Sequence, residues 1–258
     1  TVIALEMRKE SLSETRINKY LSERGLTSRR GADKAIERGE VIVNGKPAVL
    51  GQQITEDDEV RFKGKIVQKK RRKPVYLALN KPVGVVCTTD PAEPANIVDY
   101  MQYPERIFPI GRLDKDSEGL ILLTNNGDIV NPILRERYGH EKEYEVTLDR
   151  PYDQDFIEKM ESGVPILDTV TKPAKLKRTG AKTFKLTLTQ GLNRQIRRMC
   201  EALGYEVVKL KRIRIMNVTL GNLPVGQYRE LSPKEFAQMK GLLIRALKEA
   251  GVMDSHES

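Results

Sequence analysis

The feature that most constrains the fold of this chain is a basic run in its first third. Residues 63–73 (KGKIVQKKRRK) contain seven lysines or arginines and no acidic residue. Like charges at this density repel one another, so such a run is typical of a flexible connection between folded parts. We therefore predict a small N-terminal domain over residues 14–62, a basic linker over residues 63–74 and a larger domain over residues 75–251.

The small domain has the pattern of two helices followed by a hairpin. Apolar residues recur with helical spacing from Ile17, Ser28 is placed to cap a second helix, and Gly39 is placed to end it. Asn44-Gly45 between two short apolar runs predicts a tight β-hairpin. The expected order of elements is helix, helix, hairpin and strand.

Basic residues are concentrated on the two predicted helices of the small domain. They are Arg16, Lys19, Arg24, Arg29, Arg30 and Lys34. By charge alone they form either a solvated helix surface or a face that contacts phosphates. The order of the motifs, from Arg16 through Ser28-Arg29-Arg30 to Asn44-Gly45, resembles the S4 RNA-binding module. The resemblance implies that Arg16, Arg29 and Arg30 contact RNA, and the formal net charge of +9 agrees with a polyanionic partner.

The larger domain mixes strands and helices without strict alternation. Strands are predicted over residues 75–79, 119–124, 144–148 and 184–188. Helices are predicted over residues 153–161, from 196 to 203, and from 233 to 250, where Ser232 and Glu235 have capping-box spacing. We therefore predict an α+β fold whose larger domain contains a mixed, mainly antiparallel sheet.

The segment between Gly111 and Leu120 is the first candidate for chemistry. Arg112, Asp114, Lys115 and Asp116 place two acids and two bases within five residues, bounded by glycines and followed by a strand. Such a turn can present a carboxylate from a rigid scaffold. It can equally be a surface loop with local ion pairs, and the pattern alone does not decide between the two.

Two further segments carry candidate residues. If a helix starts near Asn193, Arg194, Arg197 and Arg198 share one face of it, opposite an apolar face. That cationic face could bind phosphates, pair with a buried carboxylate or only meet water. Tyr144 lies on the apolar side of a charged strand, where it is either a core residue or a platform on which a base stacks.

Taken together and in this order, the motifs resemble the RsuA branch of bacterial pseudouridine synthases. The segments are Asn80-Lys81-Pro82-x-Gly84, Gly111–Leu120, Leu123–Asp128, Lys142-x-Tyr144-x-Val146 and Gln190–Met199. The resemblance implies that Asp114 is the catalytic aspartate, that Tyr144 stacks on the target uracil and that Arg197 pairs with the aspartate. It also implies that Arg112 can fill the space left by a flipped base and that Lys81 lies near the site. Lys81, Arg194 and Arg198 are expected to contact the substrate or its RNA.

The implied reaction breaks the N1–C1′ bond of a uridine, turns the base and rejoins it through C5. The nucleotide must leave its stack, which requires base flipping. Asp114 either attacks covalently or acts as a general base, and the sequence leaves both routes open. Since isomerisation needs no redox partner and no group donor, we expect no cofactor and no metal.

The expected substrate is ribosomal RNA. Residues 163–167 and 214–218 resemble the large-subunit (23S) enzymes of the branch, with small-subunit rRNA and tRNA as alternatives. The sequence has two cysteines without metal-binding spacing, no signal peptide and no run long enough to span a bilayer. We therefore expect a cytoplasmic monomer that does not bind membranes.

Three other classes of protein are alternatives to this interpretation. A non-catalytic RNA-binding or ribosome-assembly factor would have no need of Asp114, Tyr144 and Arg197 together. A nucleoside or glycoside hydrolase should carry a second evident carboxylate or metal ligands, with Asp116 as the nearest candidate. A basic membrane-associated protein should carry an amphipathic basic helix, and none is evident.

Overall fold

The computed structural model of the protein describes residues 14–55, 57–68 and 73–251. Contacts divide the described residues into a small unit, which runs to Pro74 and includes Asn125–Gly127, and a larger unit formed by Val75–Thr124 and residues 128–251. Within the described ranges, no helix is both long enough and apolar enough to cross a membrane.

The small unit contains two helices and two small antiparallel sheets. The helices are α1 (Ile17–Glu23) and α2 (Arg29–Glu37). The strands are β1 (Thr15–Arg16), β2 (Val41–Val43), β3 (Lys46–Pro47), β4 (Gln53–Ile54), β5 (Val60–Phe62) and β6 (Lys65–Ile66). β1 pairs with β4, and the other four form a sheet in the order β3-β2-β5-β6.

Local sequence explains where the helices and the hairpin of the small unit begin and end. The Ser28 hydroxyl oxygen accepts a hydrogen bond from the Gly31 amide at 2.9 Å, which caps α2. Gly39 follows α2 with a φ of +70°. Asn44 and Gly45 both have positive φ between β2 and β3, as a tight hairpin with matching twist requires. The predicted helix–helix–hairpin–strand order is confirmed.

The prediction of a flexible linker that starts at residue 63 is wrong for its first part. Lys65–Ile66 is strand β6 and pairs with β5. Val67 is buried in the core of the small unit, and its amide donates to the Val60 carbonyl at 2.8 Å. Burial of one apolar side chain and continued strand pairing stabilise this stretch despite its charge. Residues 69–72, the most basic part of the run, lie outside the described residues.

The larger unit is built on a nine-stranded sheet. Its strands are β7 (Tyr76–Lys81), β8 (Phe108–Ile110), β9 (Glu118–Thr124), β10 (Lys142–Leu148), β13 (Lys175–Arg178), β14 (Thr183–Leu188), β15 (Val207–Ile215), β16 (Val218–Thr219) and β17 (Tyr228–Glu230). The main order is β13-β14-β10-β15-β9-β7-β17, with β16 on β15 and β8 on β9. Only the pair β15–β9 is parallel, so the predicted mainly antiparallel α+β fold is confirmed.

Helices pack on both faces of this sheet. They are α3 (Ile97–Met101), α4 (Val130–Leu134), α5 (Gln154–Ser162), α6 (Gln195–Ala202) and α7 (Pro233–Glu249), with short 3₁₀ helices over Gly127–Ile129 and Glu136–Tyr138. The ribbon of β11 (Pro165–Ile166) and β12 (Thr169–Val170) follows α5.

Alternate residues of the central strands belong to two separate hydrophobic cores. Ile121 and Leu123 of β9 pack in one core with side chains of α5 and α6, whereas Leu120 and Leu122 pack in the other with side chains of α4 and α7. This follows from the two-residue repeat of a strand, which sends neighbouring side chains to opposite faces.

The parallel pair β15–β9 depends on a glycine. Gly119 lies opposite Arg212 with a φ of +109°. A Cβ atom at Gly119 would lie 2.3 Å from the Arg212 carbonyl oxygen, so any other residue would push the two strands apart. Gly119 therefore brings the end of the Asp114 turn next to β15.

Candidate active site

A cleft of about 700 Å³ lies within the larger unit. Loop residues 111–115 and 188–195 line it together with side chains of β10 and β15. Its polar lining includes Arg112, Asp114, Lys142, Tyr144, Gln190, Arg194 and Arg212. The structure therefore brings Asp114, Tyr144, Arg112 and Arg194 together around one cleft.

Asp114 leaves a turn that is fixed on both sides. The Ser117 amide donates to the Asp114 carbonyl at 3.1 Å, which closes the turn. The preceding Leu113 is buried, and the following Lys115 accepts a hydrogen bond from the Gly84 amide at 2.7 Å. The Asp114 side chain remains 33% exposed, toward the cleft that it lines. A rigid turn thus presents a carboxylate to a space that substrate can enter.

Arg194 contacts both carboxylates of the turn, but unequally. Its two terminal nitrogens each donate to one Asp116 oxygen at 2.9 Å, and Nη1 lies 3.8 Å from Asp114 Oδ2. The hydrogen bonds from Arg194, with Arg197 nearby, hold the pKa of Asp116 below its usual range. Asp116 is therefore an ionised structural partner, which argues against the second catalytic acid that a glycoside hydrolase would need.

The prediction that Arg197 pairs with Asp114 is wrong. Arg197 Nη2 donates to the Asp116 carbonyl at 2.9 Å and to the Ser117 hydroxyl at 3.2 Å, and Nη1 donates to the Val207 carbonyl at 3.1 Å. Its Nε lies 3.4 Å from Asp116 Oδ2 without the geometry of a hydrogen bond. Arg197 instead fixes the turn that carries Asp114, because its planar fork spans the backbone on the far side of that turn.

The start of α6 explains why Arg194 can reach back to the turn. Arg194 has a φ of +48°, and α6 begins at the next residue. The Gln195 side chain accepts from the Leu192 amide at 3.0 Å and donates to Gln190 Oε1 at 3.2 Å, which holds the loop in place. Arg198 donates to the Asn193 carbonyl and side-chain oxygens, so its guanidinium is occupied within the same loop.

Tyr144 is both a core residue and part of the cleft wall. It lies on β10 opposite Leu186 of β14 and Arg212 of β15, and only 9% of it is exposed. The guanidinium carbon of Arg212 lies 6.0 Å from the centre of its ring. The two interpretations of Tyr144 from sequence are therefore compatible, since a ring fixed by the core can still offer a face to a base.

Lys81 does not lie on a surface that RNA could contact, so the prediction that it binds RNA is wrong. It is fully buried, and its ammonium donates to the carbonyls of Pro82 and Val85 at 2.8 and 2.9 Å. Burial lowers the pKa of Lys81. These contacts shape the turn after β7, whose Gly84 amide holds the Asp114 loop. Arg112, in contrast, is exposed where it lines the cleft.

The basic residues of the small unit divide into exposed and buried ones. Arg16, Arg29 and Arg30 are exposed, as an RNA-binding face requires. Arg24 is buried, stacks over the Tyr20 ring with its guanidinium carbon 3.4 Å from the ring centre, and donates to the Tyr20 carbonyl. Arg24 therefore belongs to the core of the small unit rather than to its predicted phosphate-contacting face.

Two cationic residues of the cleft were not singled out from sequence. Lys142 occurs in the family-like motif but was given no role, and burial, with Arg212 nearby, lowers its pKa. Arg212 lies in a strand with basic residues at positions 209, 211, 212 and 214, so no pattern distinguishes it from solvated neighbours. Its burial is a tertiary property. In the described part of the chain, no group of three or more His, Cys, Asp or Glu side chains is arranged to hold a metal ion.

Comparison with known proteins agrees with this geometry. The family model described as RNA pseudouridylate synthase matches residues 75–202, and the S4 domain matches residues 15–60. The dual-specificity RNA pseudouridine synthase RluF of Salmonella typhi is 53% identical over 92% of this chain and 83% of its own length. The ribosomal large subunit pseudouridine synthase B of Bacillus subtilis is 36% identical over 88% of this chain and 96% of its own length.

A solved structure gives the same result at the level of the fold. A crystal structure of a pseudouridylate synthase superimposes with a TM-score of 0.65 at 33% identity, covering 87% of this chain and 99% of the other. Membership of one family accounts for the order of the motifs, for the S4 domain and for the cleft around Asp114. The chain belongs to the RsuA branch of the RNA pseudouridine synthases, which convert uridine in RNA to pseudouridine.

Proposed function

We propose that this enzyme isomerises a uridine of large-subunit ribosomal RNA and that Asp114 is its catalytic carboxylate. The observation that carries the proposal is the cleft, which Asp114 and the buried ring of Tyr144 both line while Arg194 holds Asp116. One relative is named for the ribosomal large subunit, and RluF is named as having dual specificity. A second RNA, such as a tRNA, is therefore the alternative substrate to test.

The proposed reaction starts with the target nucleotide turned out of its stack into the cleft. Arg112, at the exposed edge, fills the space that the base leaves, and Tyr144 supports the uracil. Asp114 then acts by covalent attack or as a general base. The N1–C1′ bond breaks, the base turns, C5 bonds to C1′, the C5 proton leaves and N1 takes up a proton. The product has the same composition as the substrate.

Arg197 and Arg194 have a positioning role in this scheme. Arg197 holds the backbone and hydroxyl of residues 116 and 117, and Arg194 keeps Asp116 occupied while lying 3.8 Å from Asp114. Because the turn is fixed before substrate arrives, Asp114 needs no rearrangement to meet the sugar or the base. Arg16, Arg29 and Arg30 would hold the RNA by its phosphates.

The test is a map of pseudouridine on unmodified transcripts. Wild-type protein, Asp114→Asn and the exposed control Asp155→Asn on α5 are incubated with 23S, 16S and tRNA transcripts. Pseudouridine is then labelled chemically and located by primer extension. We expect a 23S stop with wild type and the control, and none with Asp114→Asn, which should still bind RNA. Full activity of Asp114→Asn would refute the catalytic role, and a stop in tRNA alone would refute the substrate.

We also propose that the enzyme acts as a monomer in the bacterial cytoplasm, where ribosomal RNA is transcribed. Light scattering of the purified protein, alone and with RNA, measures its mass directly. A mass of about two chains in the absence of RNA would contradict the monomer.

A further inference from the structure

The cleft contains a buried guanidinium with one nitrogen unused. Arg212 is 4% exposed, its Nε donates to the Leu120 carbonyl at 2.7 Å, and its Nη1 donates to the Arg112 carbonyl at 3.4 Å. Its Nη2 is buried and has no hydrogen-bond partner among the residues that the structure describes. Buried polar atoms are nearly always hydrogen-bonded, so an unpaired cationic N–H in a cleft points to a ligand that supplies the acceptor.

The place of Arg212 identifies which part of the substrate it meets. Arg212 on β15 lies opposite Tyr144 on β10, and its guanidinium carbon is 6.0 Å from the centre of the Tyr144 ring. Both side chains line the cleft that Asp114 enters. A base that rests against Tyr144 would therefore lie within reach of the unused N–H, at a depth that the sugar–phosphate backbone does not share.

A second cation lies beside Arg212. Lys142 precedes Tyr144 by two residues on β10, so both side chains leave the same face of the strand, and both line the cleft. Lys142 forms no ion pair within the described parts of the chain. Glu136 is the acidic residue that acts on it electrostatically, and Glu136 is itself paired with Lys172 at 2.6 Å.

The other charged groups of the cleft do not neutralise these two cations. Asp114 lies near Arg194, and Asp116 is held by Arg194 and Arg197. Arg112 is exposed at the edge. The inner wall of the cleft therefore carries net positive charge where the base is expected, although free uracil and uridine are neutral.

We propose that Arg212, supported by Lys142, donates a hydrogen bond to a carbonyl oxygen of the target uracil and stabilises the negative charge that develops there during isomerisation. This rests on the proposed function in one respect, namely that Asp114 acts on a nucleotide whose base lies against Tyr144.

The electron balance is the same in every route left open for Asp114. When the N1–C1′ bond breaks, its electron pair stays on the uracil and spreads from N1 to a carbonyl oxygen. When a carboxylate instead adds to the ring, the pair of the ring double bond moves toward the neighbouring carbonyl oxygen. When C5 joins C1′, the electron pair on the uracil forms the new bond. The C5 proton then leaves while N1 gains a proton, and the base is neutral again. The hydrogen bond from a fixed donor to that oxygen is therefore stronger in the transition state than in the ground state.

The proposal is tested with an RNA fragment that carries the mapped site and a C5 tritium on the target uridine, since rejoining through C5 releases that tritium. The target nucleotide is uridine, 2-thiouridine or 4-thiouridine, because sulfur is a poor hydrogen-bond acceptor. Single-turnover rates and RNA affinities are measured for wild type, Arg212→Met, Arg212→Lys and Lys142→Met. Circular dichroism checks that each variant is folded.

We expect Arg212→Met to lower the single-turnover rate by about 100-fold with nearly unchanged RNA affinity. Arg212→Lys should recover part of the rate, and Lys142→Met should lose about tenfold. One of the two thio substitutions should slow the wild-type enzyme. The same substitution should slow Arg212→Met little further, because the sulfur and the Met side chain remove the same hydrogen bond. If Arg212→Met fails to fold, the same non-additivity is measured with Lys142→Met.

The alternative partner of Arg212 is a phosphate oxygen. A methylphosphonate placed next to the target nucleotide tests this alternative. Two results together would overturn the proposal. Arg212→Met would weaken RNA binding in a way that is non-additive with the methylphosphonate, and the effects of both thio substitutions would be fully additive with Arg212→Met. The Asp114→Asn variant separates the two proposals. If Asp114→Asn were active while Arg212 still coupled to a uracil oxygen, the role of Asp114 would fall and that of Arg212 would stand.

Discussion

Asp114 and Asp116 leave the same turn, yet only Asp116 receives hydrogen bonds from an arginine side chain. The difference follows from direction, because residues on either side of a tight turn project to different neighbours. Asp116 meets the start of α6, where Arg194 and Arg197 converge, and Asp114 meets the open cleft. The arginines therefore hold Asp116, whereas the Asp114 side chain stays open to the cleft.

This division makes Arg197 testable as a positioning residue. Arg197→Lys keeps the charge but loses the planar fork that spans Asp116, Ser117 and Val207. We expect kcat to fall by roughly 10- to 100-fold with KM changed little, because Asp114 loses its fixed position. Steady-state kinetics by tritium release measures both constants.

The matched control for this substitution is Arg178→Lys on the edge strand β13. Arg178 also uses its guanidinium to hold a carbonyl, that of Tyr152 at 2.6 Å, but it does not line the cleft. Its kcat should equal that of wild type. An equal fall of kcat in both variants would show that Arg197 acts only through general stability.

Sequence predicts the residues of this site better than their contacts. The family resemblance predicts Asp114, Tyr144 and Arg197 as site residues, but spacing does not say which of two carboxylates two positions apart faces a helix more than 70 residues later. Lys81 shows the same limit. Its burial depends on β7 being covered on both faces, which no local pattern around Lys81 records.

At the scale of elements, the pairing of β9 with β15 depends on Gly119. Gly119→Ala would place a Cβ atom 2.3 Å from the Arg212 carbonyl at a φ of +109°. We expect a loss of roughly 2–4 kcal/mol in the free energy of unfolding, together with loss of activity, because both strain and a backbone clash are introduced. Urea unfolding followed by circular dichroism measures the change.

Gly241→Ala is the control for that experiment. Gly241 lies within α7, and no atom would lie within 4 Å of its Cβ. The same chemical change should there stabilise the protein by roughly 0.5–1 kcal/mol, since alanine is the better helix former. Destabilisation by Gly241→Ala, or tolerance of Gly119→Ala, would contradict the backbone argument.

The capping box of α7 gives a prediction about pH. Glu235 accepts hydrogen bonds from Arg229 and from the Ser232 amide, which lowers the pKa of Glu235 from 4.5 to about 2. A carboxyl whose folded pKa lies below its unfolded pKa stabilises the fold above the unfolded value. That contribution is lost as pH falls through the folded value.

We therefore expect Glu235→Gln to cost about 1–2 kcal/mol in the free energy of unfolding near pH 7. The difference from wild type should stay constant down to about pH 5 and shrink between about pH 4.5 and 2, because both proteins are then neutral at this position. Urea unfolding across this range measures it. Glu158→Gln, an exposed residue of α5, should show no such pH dependence, and an unchanging difference for Glu235→Gln would refute the assignment.

Elements with a strong local cause are predictable from this sequence, and those with a distant cause are not. Ser28, the Asn44-Gly45 turn and the Ser232 capping box mark element ends correctly because each acts within four residues. Strand β6 was missed because its stability comes from pairing with β5 and from burial of Val67, whereas the local pattern shows only charge. The parallel pair β9–β15 likewise joins segments far apart in sequence.

At the scale of the whole molecule, the proposed function assigns phosphate binding to the small unit and chemistry to the larger unit. The larger unit encloses the cleft with Asp114, whereas the small unit exposes Arg16, Arg29 and Arg30 on an S4 domain. Phosphate contacts release condensed counterions, so they contribute affinity that falls with salt and carries little sequence information. Affinity and rate should therefore respond to different sets of residues.

The triple variant Arg16→Gln, Arg29→Gln, Arg30→Gln tests this division. If each arginine contacts one phosphate, the slope of log affinity against log salt should shrink by about 2 to 3, at roughly 0.7–0.9 per contact. The single-turnover rate at saturating protein should equal that of wild type, since the cleft is intact. A second triple variant, Lys159→Gln, Lys177→Gln, Lys182→Gln, removes the same charge from exposed positions of the larger unit outside the cleft. An equal change of slope in both variants would mean that net charge alone attracts the RNA, whereas a change confined to the first would locate the phosphate contacts on the S4 domain.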